Sequence, residues 1–229
     1  MESRTVRRTS VTLPALDERG LYLSNVTSLE GSRGRVSDFQ YADKDLRELD
    51  LVDIQLLDGR IRDVRSRRTR LQEVLVNSVE LSNCSLSSLR WADSKLTRVT
   101  FRNCKLMGAL FEGMVLDNVL FENCRFDYAT FDRLRFTGPV AFVKCALQES
   151  SFKSSDFGSA VVFEACDLRL TEFDGGKHRG CDLRGNDLSG VRGIGALRGV
   201  LIDREQLGQL AEALAAELDF MYGEDLDDK

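Results

Sequence analysis

The sequence predicts an all-β solenoid that ends in a single α-helix, and three observations support this fold class. Six cysteines recur with spacings of 20, 20, 21, 21 and 15 residues. A large apolar residue recurs every five residues over most of the chain. The C-terminal segment instead repeats its leucines at helical spacing. A repeat of twenty residues with an inner repeat of five is typical of short coils stacked along one axis.

The five-residue repeat is almost unbroken from Tyr41 to Phe136, and Ser66 is the only one of its twenty centres that is not large and apolar. The residue two positions before each centre is usually small or apolar, as at Val79 and Cys84. Two inward side chains separated by an outward one indicate a short strand, because side chains alternate between faces. Neither the helical period nor that of a long strand gives a repeat of five.

Four such pieces make one coil, and similar residues then fall on the same face of successive coils. Stacked like residues on strands about 4.8 Å apart stabilise a sheet. The pattern runs for about seven and a half coils, which predicts a rod on the order of 35 Å long. The stacks are Phe101, Phe121, Phe142 and Phe163 on one face, Phe111, Phe131, Phe152 and Phe173 on a second, and Cys84, Cys104, Cys124, Cys145 and Cys166 on a third.

Several of these fives follow the pattern small, Asp or Asn, Leu or Phe, then two variable residues. Examples are CDLRG (181–185), NDLSG (186–190), SDFGS (155–159) and ATFDR (129–133). With about thirty fives in register over residues 36–190, the chain resembles the pentapeptide-repeat family. The resemblance implies a right-handed quadrilateral β-helix of about 7–8 coils. It also implies a partner class, because the best-known members protect type II topoisomerases from quinolones or peptide toxins by presenting an acidic, DNA-like rod to gyrase.

The repeat divides the chain into five segments. These are an N-terminal arm or cap (1–35), the β-helix (36–190), a glycine-rich connection (191–202), a C-terminal helix with an apolar hook (203–222) and an acidic tail (223–229). Alternation in residues 5–13 suggests that the arm caps the first coil. Asp203 and Gln206 have the spacing of a capping box at the start of the helix.

The C-terminal helix is predicted to cover the last coil, since an open sheet edge invites aggregation. Its apolar residues exceed what a cap requires, so we also expect a homodimer interface there, with a monomeric cap as the alternative. The interface residues are Leu207, Leu210, Leu214, Leu218, Phe220, Met221 and Tyr222.

No enzyme, metal or cofactor chemistry is predicted from the sequence, and no catalytic, cofactor-binding or metal-binding residue is assigned. A packed β-helix without long loops offers no concave site, and no phosphate loop or nucleophile motif is present. The cysteines occupy inward small-residue positions, where a thiol behaves as a small apolar group. His178, the single histidine, is interpreted as part of a distorted last coil. Without a membrane span or signal-peptide pattern, the expected location is the cytoplasm.

Net charge is −5, but it is unevenly distributed along the chain. Residues 1–100 carry 17 basic and 15 acidic residues, residues 101–200 carry 13 of each, and residues 201–229 carry 2 and 9. A candidate acidic partner face is nevertheless visible, although arginines dilute it. Its members are Asp50, Asp53, Glu73, Asp93, Glu112, Asp132, Glu172 and Asp174.

Two further surfaces are candidates for contacts with a partner. A basic patch comprises Arg60, Arg62, Arg65, Arg67, Arg68 and Arg70, and its alternative interpretation is a solvated surface paired with nearby carboxylates. No aromatic residues interleave with these arginines, so direct binding of nucleic acid is not favoured. An apolar patch comprises Leu110, Val115 and Leu120, which should point outward from three faces of one coil.

These observations predict a non-catalytic β-helix that binds another protein. The resemblance makes DNA gyrase, or another type II topoisomerase, the expected partner, with DNA mimicry that protects or modulates the enzyme and antibiotic resistance as the outcome. The alternative is a general interaction scaffold unrelated to topoisomerases.

Overall fold

The computed structural model describes residues 2–17, 22–31, 33–158 and 160–220. It shows a parallel β-solenoid of about seven turns with a single C-terminal helix, so the predicted fold class is confirmed. The strands are β1 (Ser3–Val6), β2 (Thr9–Thr12), β3 (Ser24–Asn25), β4 (Arg35–Val52), β5 (Gln55–Gln72), β6 (Leu75–Ser82), β7 (Ser85–Leu86), β8 (Arg90–Ala92), β9 (Lys95–Arg102), β10 (Leu110–Glu112), β11 (Val115–Glu122), β12 (Thr130–Asp132), β13 (Arg135–Phe136), β14 (Val140–Val143), β15 (Ser151–Lys153), β16 (Val161–Glu164) and β17 (Glu172–Asp174), and the helix is α1 (Leu207–Glu217).

The strands form four faces, which we number by one coil: face 1 contains residues 99–102, face 2 contains 104–107, face 3 contains 109–112 and face 4 contains 94–97. Register follows the repeat, since Phe101 on β9 pairs with Phe121 on β11. The next two steps are 21 residues, because Phe121 pairs with Phe142 and Phe142 with Phe163. The two extra residues predicted from the phase of the repeat therefore sit between coils and leave the stacking intact.

Two ladders of phenylalanine rings fill the core. On face 1, ring centroids of Phe101, Phe121, Phe142 and Phe163 are 4.9, 4.8 and 4.7 Å apart. On face 3, those of Phe111, Phe131, Phe152 and Phe173 are 5.1, 4.5 and 5.4 Å apart. Each ladder meets the other edge to face, an arrangement that rings favour beyond simple burial.

Five of the six cysteines form a buried ladder on face 2, namely Cys84, Cys104, Cys124, Cys145 and Cys166, whereas Cys181 lies on face 1. Each of these five thiols contacts carbonyl oxygens of its own and the preceding coil, as Cys104 Sγ does with Arg102 at 3.4 Å and Leu81 at 3.6 Å. All six cysteines are free and buried. Burial raises the pKa of the Cys145 and Cys181 thiols, which keeps them protonated. Their position is thus explained by packing and weak hydrogen bonding.

The corners between faces use left-handed backbone, which Asn and Asp tolerate better than most residues. Asn83, Asn103 and Asn123 occupy one corner with φ of 56°, 54° and 53°. Their side chains form a directional chain, because Asn123 Nδ2 donates to Asn103 at 2.8 Å and Asn103 Nδ2 donates to Asn83 at 3.1 Å. Asn83 in turn donates to Asp63 at 3.1 Å.

The solenoid extends past both predicted ends of the repeat. At the start, β3 pairs with Phe39 and Gln40 of β4. At the end, Arg192 bridges Glu172 and Leu201 bridges Asp182, so residues predicted as a glycine-rich connection continue the last coil. Gly193 is required there, since its φ is 75° and an added Cβ would collide with the carbonyl oxygen of Phe173.

Residues 5–13, which were expected from their alternation to cap the first coil, lie elsewhere, whereas β3 of the same N-terminal segment pairs with β4 at that coil. Strands β1 and β2 form an antiparallel hairpin, residues 3–12, which lies across the outer surface of face 1 far along the rod. A second apolar cluster joins it to the solenoid and consists of Val6, Val11, Leu13, Leu120, Ala141, Val143 and Val162. The outward residues Leu120, Ala141 and Val162 stand in one row across β11, β14 and β16.

Polar contacts fix the N-terminal hairpin at several points. Arg4 pairs with Glu122, and Arg7 Nη2 donates to the carbonyl of Arg184 at 2.9 Å. The backbone N–H of Thr12 donates to Asn118 Oδ1 at 2.8 Å. These contacts join residues 106 to 177 positions apart in the chain. The hairpin is therefore anchored by both burial and directional bonds.

At the C-terminal end, a 3₁₀ turn (Arg204–Gln206) leads into α1, and the predicted capping box between Asp203 and Gln206 is present. Gln206 also anchors the helix to the solenoid, because its Nε2 donates to the carbonyls of Leu183 at 3.0 Å and Asn186 at 2.7 Å. Ala213 is the buried residue of α1. Among the described residues, no helix is long and apolar enough to cross a membrane.

Candidate protein-binding surfaces

In the structure, three residues of the predicted acidic face form one continuous column without ion pairs to the described residues, and most of the others pair with arginines. The column consists of Asp53, Glu73 and Asp93, which occupy the same corner between face 3 and face 4 in three successive coils. All three residues are exposed and have left-handed backbone, with φ of 54°, 56° and 47°. We call these three residues the corner column.

The corner column is held by the sheet itself. The backbone N–H groups of Asp53, Glu73 and Asp93 donate to the carbonyls of the following coil at 3.0, 3.1 and 2.9 Å. The backbone of these three residues is thereby held in a line, with Cα atoms about 4.8 Å apart along the rod axis. Within the described part of the chain none of the three forms an ion pair, and Asp93 Oδ2 accepts a hydrogen bond from Gln72 at 2.9 Å.

The remaining acidic candidates do not extend this column. Arg133 occupies the same corner two coils further along and pairs with both Glu112 and Asp132, the latter at 2.7 Å. Asp50 lies 3.6 Å from Arg70. Glu172 and Asp174 are exposed on β17, beyond the break that Arg133 makes. The negative surface is therefore three carboxylates long rather than eight.

The predicted basic patch is distributed over several faces, and four of its six arginines have acidic partners. Arg60 pairs with Asp17 at 2.6 Å, Arg62 with Asp63 at 3.4 Å, Arg68 with Glu48 at 3.8 Å and Arg70 with Asp50 at 3.6 Å. Exposed pairs of this kind contribute little stability but reduce the local potential. The structure therefore does not bring the six arginines together as one basic surface.

The predicted apolar patch is wrong for Leu120. This residue points outward from face 1 as expected, but it is 0% exposed because the N-terminal hairpin covers it. Leu110 and Val115 are half-buried on other faces.

Sequence reasoning missed a different set of exposed apolar residues, at the corner between face 2 and face 3. Met107 is 41% exposed, Tyr128 57% and Leu170 37%. Tyr128 and Leu170 have φ of 62° and 57°, which is unusual for bulky side chains. The available signal was their place in the turn after a repeat centre, since Met107 follows its centre by one residue and Tyr128 and Leu170 follow theirs by two.

The C-terminal helix presents a second apolar surface, because α1 packs against the solenoid through Ala213 and directs most of its leucines outward. Leu207 is 59% exposed, Leu214 39%, Leu218 54% and Phe220 59%, whereas Leu210 is half-buried against the core. The predicted interface residues Met221 and Tyr222 lie outside the described residues. The exposed set is larger than a cap needs.

A groove of about 510 Å³ runs between α1 and the last coil, lined in part by Leu170, Val191 and Ala216. Glu217 closes one end, because its Oε2 accepts hydrogen bonds from the backbone N–H groups of Gly193 at 2.8 Å and Ile194 at 3.0 Å. The carboxylate of Glu217 is therefore already hydrogen-bonded to the backbone, and the groove offers a ligand mainly apolar contact.

His178 is a packed core residue rather than part of a loosened interior. It lies edge-on to Phe157 and Phe173, with ring centroids 4.6 and 5.4 Å away. Its Nδ1 donates to the carbonyl of Ala196 at 3.2 Å, while Nε2 has no hydrogen-bond partner. Burial lowers the pKa of His178, so the neutral ring is favoured. Among the residues the structure covers, no group of three or more His, Cys, Asp or Glu side chains could hold a metal ion.

Comparison with known proteins finds the repeat directly. Two family models described as pentapeptide repeats match residues 96–145 and 77–113. A search of the curated proteins finds no match. Solved structures are also similar, at low identity.

Full-length QnrB1, described as a plasmid-mediated fluoroquinolone resistance protein, is 20% identical, with a TM-score of 0.38, over 83% of this chain and 94% of that chain. HetL, described as a pentapeptide-repeat protein involved in heterocyst differentiation regulation from the cyanobacterium Nostoc sp. strain PCC 7120, is 15% identical with a TM-score of 0.28, over 76% and 89%. The chain is therefore similar to pentapeptide-repeat proteins over residues 77–145.

Proposed function

We propose that this chain is a non-catalytic binding rod that engages a type II topoisomerase, DNA gyrase above all, as a mimic of duplex DNA. The observation that supports this is the corner column of Asp53, Glu73 and Asp93. Three acidic residues that form no ion pair with the described residues, on Cα atoms about 4.8 Å apart, approach the charge density of one strand of DNA, which carries a phosphate about every 3.4 Å. A rigid line of negative charge competes with DNA for a positively charged surface.

Accessibility of the faces supports the same surface. The N-terminal hairpin covers face 1, and α1 covers the end of the rod, whereas the corner between face 3 and face 4 is open over the three coils of the column. The expected outcome is modulation of gyrase in the cytoplasm and its protection from quinolones, as the pentapeptide-repeat resemblance implies.

The test is DNA supercoiling by purified gyrase with this protein titrated in, with and without a fluoroquinolone. We expect the wild-type chain to inhibit supercoiling or to reduce drug-induced cleavage. The combined variant Asp53→Asn, Glu73→Gln and Asp93→Asn should lose the effect, at least about tenfold in the concentration required, since charged contacts at an interface contribute on the order of 1–3 kcal/mol each.

A matched control changes the net charge equally at another corner. The combined variant Asp43→Asn, Asp45→Asn and Asp63→Asn should retain the activity, because Asp43 and Asp63 lie at the opposite corner, between face 1 and face 2, and Asp45 lies beside them on face 2. Equal loss in both variants would refute the corner column as the contact. No effect of the wild-type chain on gyrase would refute the topoisomerase proposal altogether.

A general interaction scaffold is the second candidate, and the exposed corner residues Met107, Tyr128 and Leu170 favour it. Large apolar side chains at strained, exposed positions are more common at binding surfaces than elsewhere. The gyrase assay separates the two functions, because a scaffold of this kind leaves supercoiling unchanged even when Asp53, Glu73 and Asp93 are intact.

We further propose that two copies associate through the outward face of α1. The exposed Leu207, Leu214, Leu218 and Phe220 form the apolar centre that such a two-fold interface needs. Sedimentation analysis should show a dimer at micromolar concentration that Leu214→Glu converts to a monomer. Leu75→Glu is the matched control, since Leu75 is 38% exposed on β6 and Leu214 is 39% exposed. A monomeric wild-type chain would contradict the proposal.

A further inference from the structure

A hollow of about 210 Å³ lies on the outer surface of face 3, where the small side chain of Ala92 leaves a gap between larger neighbours. Arg70 and Arg90 both line it, as do Trp91 and Leu110. The remaining lining residues are Gln72 and Glu112. This hollow does not overlap the corner column, and nothing in the proposed topoisomerase contact uses it.

The two arginines stand directly beside each other. Arg70 on β5 and Arg90 on β8 are register partners, which places their Cα atoms about 4.8 Å apart. Like charges opposite one another on neighbouring strands destabilise a sheet. Such a local conflict is most often retained where it has a function.

The nearby carboxylates neutralise this pair only in part. Arg70 forms an exposed ion pair with Asp50 at 3.6 Å. Within the described part of the chain, Arg90 has no acidic group within ion-pair distance. Glu112 is on the rim of the hollow, but Arg133 holds its carboxylate. The hollow therefore carries excess positive charge at one point on an otherwise balanced rod.

We propose that this hollow binds the phosphoryl group of a phosphate monoester, independently of the proposed topoisomerase contact. A carboxylate has two oxygens and is satisfied by one guanidinium, whereas a tetrahedral dianion has enough oxygens to accept hydrogen bonds from both arginines. Leu110 offers apolar contact to the organic part of the ester.

A polyanion such as nucleic acid fits the hollow poorly. Asp50, Asp93 and Glu112 flank the arginine pair on the same and the adjacent rows, so a run of phosphates would meet carboxylates on both sides. A single phosphoryl group meets only the two guanidinium groups. The charge pattern thus selects an isolated phosphate over a phosphate backbone.

The chain supplies its own reporter beneath the hollow, because its single tryptophan, Trp91, lies on the strand that forms the floor, with its ring buried in the core against Phe101 and Phe111. Titration calorimetry and Trp91 fluorescence would be followed on the full chain with inorganic phosphate, O-phosphoserine, acetate and a short DNA duplex. We expect saturable binding of phosphate and O-phosphoserine in the millimolar range or below, with O-phosphoserine the tighter of the two, and no saturable binding of acetate.

Variants test whether the arginine pair is responsible. Arg70→Gln and Arg90→Gln should each weaken binding of O-phosphoserine at least about tenfold, as loss of one charge-assisted contact predicts. Arg68→Gln is the control, because Arg68 belongs to the same arginine-rich coil but does not line the hollow. It should bind as the wild type does.

Three results would overturn the proposal. One is the absence of both heat and fluorescence change with either phosphate ligand. Another is equal weakening by Arg68→Gln, which would show a general surface potential rather than a site. The third is binding of acetate or of the DNA duplex as tight as that of O-phosphoserine, which would show a carboxylate or nucleic-acid surface instead.

Discussion

Substituting Leu120 by Glu is expected to release the N-terminal hairpin while leaving the solenoid folded. Leu120 is fully buried beneath Val6, Val11 and Leu13, so a carboxylate there would lose its water without gaining a partner. That cost is several kcal/mol, comparable to what burying three apolar side chains contributes after ordering entropy is subtracted. Because Leu120 points away from the core of the coil, the aromatic ladders should remain intact.

Limited trypsin digestion measures this release, since Arg4, Arg7 and Arg8 lie in the hairpin. We expect cleavage at these arginines to accelerate at least about tenfold in Leu120→Glu, in proportion to the undocked fraction. Leu110→Glu is the matched control, because Leu110 is an outward leucine on a face that the hairpin does not cover. Cleavage as slow as that of the wild type in Leu120→Glu, or equally fast in Leu110→Glu, would disprove the docking surface.

Substituting Phe152 by Ala should cause the largest loss of solenoid stability, about 3–5 kcal/mol in the free energy of unfolding. Phe152 is fully buried, and its ring contacts five others, with centroids 4.5 to 6.1 Å away. Removing it opens a cavity that rigid strands on both sides cannot close. Each coil contacts only its neighbours, so the loss appears at two interfaces between coils.

Chemical denaturation followed by circular dichroism measures this loss, and Phe152→Leu provides the control. The leucine keeps most of the side-chain volume of Phe152. Apart from the loss of the ring contacts, Phe152→Leu should therefore lower the free energy of unfolding by less than about 1.5 kcal/mol. An alanine variant within about 1 kcal/mol of the wild type would contradict the close packing of the face 3 ladder.

The solenoid was predictable because a five-residue period determines which side chains point inward, whatever their identity. Phe101 and Phe111 could be assigned to different faces from spacing alone. Asn83 and its successors could be assigned to a corner because few other residues tolerate left-handed backbone. The pairing of Asp203 with Gln206 followed from local spacing in the same way.

The hairpin was not predictable in that way, because its contacts join residues far apart in the chain. Leu120 was grouped with Leu110 and Val115 along one coil, whereas the meaningful group runs across coils through Ala141 and Val162. Comparing outward residues at intervals of about twenty would have revealed that apolar row. Its occupant would still have remained unknown, since residues 3–12 carry only a short alternating pattern.

The sequence predicted which acidic residues lie on the acidic surface, but not which of them are neutralised by ion pairs. From the sequence alone, Glu112 and Asp132 are acidic candidates equivalent to Asp53 and Glu73. The structure shows that Arg133 forms ion pairs with Glu112 and Asp132. Arg133 does not pair with Asp53 or Glu73. Likewise, the juxtaposition of Arg70 and Arg90 follows from register, but the absence of a partner for Arg90 depends on where its neighbours' carboxylates lie.

The position of the hairpin also affects the order in which the protein can be completed. Residues 3–12 leave the ribosome well before residues 118–184, which form their docking surface. Successive coils can assemble as they emerge, because each pairs with the one before it. The hairpin can therefore settle only after the coils up to residue 184 have been built, although it is synthesised before them.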